Sequence, residues 1–102
     1  MNIEQEKTTQ TEAIEQLQHI AQNALHGDEV PNFYVNGFVN GVGFGDAYLI
    51  LQTNGKTTSV VNMSFATLKT LAENLTAMVS GVEKQLEQEV LTIQQIRDRI
   101  TT

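Results

Sequence analysis

FYVNGFVNGVGFGDAYLILQTNGKTTSVVNM, residues 33–63, carries three Asn-Gly dipeptides, of which Asn40-Gly41 and Asn54-Gly55 are each set between runs of apolar and β-favouring residues and are read as turns. A two-residue type I′ hairpin turn needs positive φ at both central positions, and Asn and Gly tolerate it best. Two such turns predict a three-stranded antiparallel meander over 33–63. Counting outward from each turn sets Val39 opposite Val42, Phe33 opposite Tyr48, Leu49 opposite Val60 and Tyr48 opposite Val61. The same register puts Gly37 opposite Phe44 and Gly43 opposite Phe38, where an aromatic ring can cover a neighbouring strand's glycine.

Side chains alternate across a sheet, so the register sorts residues onto two faces. Phe33, Val35, Val39, Val42, Phe44, Tyr48, Ile50, Val61 and Met63 form an apolar face, the expected main core. The second face holds Tyr34, Asn36, Phe38, Gly43, Gly45, Ala47, Leu49, Leu51, Thr58, Val60 and Asn62, half apolar with a strip of very small residues. That strip either lets another backbone come close or marks a bulge or longer loop around Gly41 to Gly45.

Upstream, residues 1–10 are polar and unpatterned and are expected as a flexible tail. Ile14, Leu17, Ala21, Ala24 and Leu25 then recur at helical spacing, with Gly27 at the position of a C-cap, which predicts a helix over 11–26. The segment GDEVPN, with the one proline, Pro31, leads into the first strand.

Downstream, Ser64 is an N-cap candidate, with Met63 and Leu68 placed as a hydrophobic staple. Phe65, Leu68, Leu71, Ala72, Leu75, Met78, Val79, Val82 and Leu86 follow with helical periodicity and can cover the apolar sheet face. The phase continues through Val90, Ile93, Ile96 and Ile100, so one long helix is predicted over 64–100. The expected class is α+β: a three-stranded antiparallel meander packed by a long C-terminal helix, with an N-terminal helix, in a single domain over 11–102. Such a helix, on the order of 50 Å long, outruns strands of roughly 27 Å, so its distal half must pack elsewhere. Gly81 in its middle suggests a close crossing or a break.

At 102 residues the core of one chain is marginal, which makes a partner subunit attractive. The net charge of −6 disfavours nucleic-acid and anionic-membrane partners. With no cysteine there is no disulfide framework and no thiol chemistry. The polar N-terminus and the absence of any run of ~18 apolar residues give a cytoplasmic protein as the expectation.

No catalytic, cofactor-binding or metal-ligating set emerges. Gly41-Val42-Gly43-Phe44-Gly45 is glycine-rich, but a phosphate-cradling loop needs a helix directly after it, and here a strand follows. His19 and His26 are about 10 Å apart along one helix and share no metal; Glu15 can pair with His19 at i,i+4. Asp46 and Glu83 are isolated acids, and no Ser, His and Asp grouping follows from spacing. An enzyme, and any cofactor, are therefore not expected.

The strand opening Asn32-Phe33-Tyr34-Val35, the strand reaching Ala47-Tyr48-Leu49-Ile50-Leu51, and Val60-Val61-Asn62-Met63-Ser64 leading into a helix with Leu68, Leu71, Leu75 and Glu83 together resemble a family of small bacterial proteins known only as a domain of unknown function. The resemblance covers about Pro31 to Glu83. It implies strands followed by a helix; the family has no assigned activity or catalytic residues, so the resemblance bears on the fold and not on mechanism. The doubled Asn-Gly and the chain beyond Glu83 depart from the family pattern.

These readings converge on a non-enzymatic homo-oligomeric structural or protein-interaction module, a homodimer or higher oligomer that also docks another protein. The expected interface is Tyr34, Phe38, Leu49, Leu51 and Val60 on the second sheet face, with Leu86, Val90, Ile93, Ile96 and Ile100 on the distal helix. The alternative is a chaperone-like or adaptor protein that binds extended segments of other chains, similar in layout to export chaperones of the SecB type.

Overall fold

The computed structural model describes residues 3–100, with side chains from Gln10 onward. The elements run α1 (Ile3–His26), β1 (Gly37–Val42), β2 (Asp46–Thr53), β3 (Lys56–Ser64), α2 (Phe65–Leu86) and α3 (Ile93–Ile100). The strands make one sheet in the order β1-β2-β3. Short hairpins join neighbours, so the sheet is antiparallel. The α+β class read from the pattern therefore holds, while the first hairpin, the starts of α1 and β1 and the long C-terminal helix differ from it.

The second hairpin is the one the sequence predicts. Asn54 and Gly55 have φ of 51° and 82°, and the strands stop at Thr53 and restart at Lys56. A two-residue turn with both central residues left-handed matches the strand twist, and counting out from it sets Leu49 beside Val60 and Tyr48 beside Val61. Asn36 braces this turn: its Nδ2 donates to Asn54 Oδ1 at 2.8 Å, and its Oδ1 accepts from Asn54 N at 2.8 Å.

The first hairpin differs from the expectation. Asn40-Gly41 is not a turn but lies within β1, and neither residue has positive φ. The chain reverses over Gly43-Phe44-Gly45, where Gly43 N donates to Asp46 O at 2.7 Å. The loop reading of 41–45 left open above is thus the one that forms. Its physical reason is that a turn at 40–41 would force Gly43 and Gly45 into a strand interior, where glycine is unfavourable by roughly 0.5–1 kcal/mol each relative to alanine. Tyr48 consequently lies over Gly41, not Phe33. The displacement is even, so the two-residue period leaves the rest of β1 and β2 on their assigned faces. Between the strands the assignments change: Val42 joins the second face, Gly43 and Gly45 leave the sheet for the turn, and Phe44 stands fully exposed at the hairpin tip. Aromatic cover of a glycine occurs as expected in kind, between Tyr48 and Gly41 instead of the pairs first assigned.

The chain forms two compact units. The first comprises Met1–Gly37 and Gln52–Thr58. Here α1 begins at Ile3, so residues 3–10, expected as an unpatterned tail, are helical in backbone, and Gly27 N closes the helix on Asn23 O at 3.0 Å. Asn32 Nδ2 donates to Ala24 O and Val30 O, each at 3.1 Å, tying the exit loop to the helix end. Phe33–Asn36, expected as the start of a strand, precede β1; Asn36 N donates to Gln52 O at 3.1 Å and Thr53 Oγ1 donates to Tyr34 O.

The second unit comprises Phe38–Leu51 and Ser59–Thr102. Ser64 caps α2, its Oγ accepting from Thr67 N at 3.1 Å, as read from the sequence. The single long helix over 64–100 does not form. Helix α2 ends at Leu86, and Glu87 adopts the left-handed conformation with φ 55°. Glu87 N then donates to Lys84 O at 3.3 Å and Gln88 N to Glu83 O at 3.2 Å, which satisfies carbonyls the helix leaves open. A second signal restarts the helix: Thr92 N donates to Gln95 Oε1 at 2.8 Å while Gln95 N donates to Thr92 Oγ1 at 3.2 Å, a reciprocal capping box. At 22 residues α2 is about 33 Å long, comparable with the roughly 30 Å of the nine-residue β3. The break removes the overhang that a continuous helix would have had.

Candidate functional site

Apolar side chains on the outside are the main feature of the described residues. Ala47 is the only buried apolar one, and no polar side chain is buried. The accessible surface is 9130 Å². Each of the two units leaves large apolar side chains exposed. Two apolar surfaces lie within the second unit.

The first is a sheet face. The register pairs Phe38 with Leu51, Leu49 with Val60, and Val42 with Ala47, so these side chains stand in adjacent rows on one side of β1, β2 and β3. Leu49 and Leu51 are half-buried on the central strand, whereas Phe38, Val42 and Val60 on the edge strands are exposed. Four of the expected interface residues, Phe38, Leu49, Leu51 and Val60, are thus brought together. Tyr34 belongs to the first unit and is 82% exposed.

The second is a groove of about 410 Å³ along the C-terminal half of α2, lined by Leu75, Met78, Val79, Val82 and Val90. Leu68 and Leu71 are half-buried, but from Leu75 onward the same stripe is open. The linker is folded over its end by Glu83, whose Oε2 accepts from Val90 N at 2.9 Å. Of the expected residues, Leu86 sits at the end of α2, Val90 in the groove, and Ile93, Ile96 and Ile100 on α3, all exposed. Leu75, Met78, Val79 and Val82 were expected as cover for the sheet. Periodicity gives no signal of their openness, because it is the same for a covered and an uncovered stripe.

Among the described residues no group of three His, Cys, Asp or Glu side chains could hold a metal ion. His19 Nε2 lies 3.2 Å from Asn23 Nδ2 at i+4, on an exposed face of α1. Among the described residues no helix is long and apolar enough to cross a membrane. What this arrangement offers chemically is apolar contact area. Comparison of the chain with protein-family models, with curated proteins and with solved structures finds no match.

Proposed function

We propose that this protein is a non-enzymatic, self-associating interaction module of the cytoplasm, whose folded unit is a homo-oligomer, most simply a dimer. The observation that supports this is the near absence of a buried core among the described residues beside open apolar surfaces in the second unit. A standard-size interface removes about 800 Å² per partner, and obligate dimers remove more and are more apolar, so open apolar surfaces of this kind are what assembly covers. The rows formed by Phe38 with Leu51 and Leu49 with Val60 are the sheet contribution to the interface, and the α2 groove the helical one.

The test is native mass by light scattering over a concentration series, for the natural chain and for Leu49→Asp. A stable dimer or higher oligomer is expected, with the Asp variant shifted toward monomer because the charge would have to be desolvated in an apolar contact. A monomeric natural chain would overturn the proposal. It would leave the apolar faces open and the outer edge of β1 unpaired, the observation that favours a second reading: an adaptor or chaperone-like protein that takes up an extended segment by strand addition.

A further inference from the structure

Two apolar features of the second unit fit each other and do not meet within one chain. The first is the α2 groove of Leu75, Met78, Val79, Val82 and Val90. The other is α3, an eight-residue helix in which Ile93, Ile96 and Ile100 fall on one face at i, i+3 and i+7. Ile93 is 53% exposed and Ile100 77%, and no α3 residue lines the groove of its own chain. The linker accounts for this separation. The left-handed Glu87, the Glu83 carboxylate on Val90 N and the Thr92–Gln95 capping box fix the turn between the two helices. We infer that α3 of each copy seats in the α2 groove of a second copy, an exchange of C-terminal helices that builds a two-fold dimer.

Dimensions and charge agree with this occupant. Helix α3 is about 12 Å long, and the groove positions from Leu75 to Val82 span about 10.5 Å of helix axis. Arg97, Asp98 and Arg99 give α3 a net positive charge, whereas Glu83, Lys84, Glu87 and Glu89 make the groove's end net negative. Because a two-fold interface is isologous, each seating occurs twice, which doubles the area removed from water. The inference rests on the self-association proposed above and assigns its helical half.

The chain has no cysteine, so introduced thiols report cleanly. Full-length chains carrying Val79→Cys or Val82→Cys are mixed with differently tagged chains carrying Ile93→Cys or Ile96→Cys, allowed to exchange subunits, oxidised and resolved without reductant. The expected result is a mixed disulfide-linked dimer in at least one of the four pairings, at least tenfold more abundant than linkage of either chain with itself. A chain carrying both Val79→Cys and Ile96→Cys that closes its bond within one monomer would overturn the inference, because α3 would then cover its own groove. Groove thiols that link only to each other would overturn it too, as would a natural-mass oligomer with no mixed bond in any pairing. In those last two cases self-association survives. A natural chain that is monomeric by light scattering overturns both readings, so the two failures are distinguishable.

Discussion

Replacing Gly41 with alanine places a methyl group where the Tyr48 ring lies. An ideal Cβ at Gly41 would overlap Cζ and Oη of Tyr48 and stand 2.8 Å from its Cε1. Gly41 does not have positive φ, so the backbone accepts alanine and only the ring opposes it. Tyr48 is half-buried on the central strand and must leave its rotamer or push its neighbours. Such overpacking costs ~1–3 kcal/mol. Against it stands ~0.5–1 kcal/mol gained on removing a glycine from a strand interior. The net expectation is a loss of ~0–2.5 kcal/mol. Gly45→Ala is the control: nothing lies within 4 Å of its Cβ and its φ is not positive, so it is expected to stabilise by ~0.4–1 kcal/mol. The assay is urea unfolding at one fixed protein concentration, since assembly makes apparent stability concentration-dependent. It is applied to the natural chain, Gly41→Ala, Tyr48→Ala and the double variant. With the ring gone, Gly41→Ala is expected to become favourable, which gives a coupling of ~1–3 kcal/mol between the two sites. Additivity within about 0.3–0.5 kcal/mol would refute the reasoning, because it would mean that Tyr48 does not lie on Gly41 and that the β1–β2 register is not the one described.

Two further predictions concern the helical end of the chain. Thr92→Ala removes the hydroxyl that accepts from Gln95 N, and is expected to weaken α3 by ~1 kcal/mol. Amide hydrogen exchange should accelerate across Ile93–Ile100 and not across α2, and unchanged protection of α3 would show that the capping box is not what starts it. Glu87→Gly relieves a left-handed backbone that costs a side-chain-bearing residue ~1–2 kcal/mol, and is expected to raise the unfolding midpoint. A lowered midpoint would contradict the left-handed cap.

What the sequence determined by itself is what short-range chemistry decides. Asn54-Gly55 supplies two residues that tolerate positive φ, and with them the β2–β3 register follows by counting. Ser64 supplies an oxygen at the one place where helix α2 has an unsatisfied N–H to offer it. The start of α3 was equally legible in Thr92 and Gln95, a capping box at its required spacing. It is masked by the apolar phase, which runs unbroken from Leu86 through Val90 to Ile93, because periodicity reports a face without reporting whether the backbone between its members is helical.

Tertiary structure decided the rest. Asn40-Gly41 and Gly43-Phe44-Gly45 are both acceptable turns locally, and the choice between them depends on which leaves fewer glycines in the strands and gives the Tyr48 ring a glycine to lie on. The functional surfaces belong to the same category. The stripe from Leu68 to Leu86 has one period throughout, yet it is half-buried at Leu71 and open from Leu75 onward. Burial is a property of what stands opposite a side chain, and spacing along one chain contains no information about that second surface.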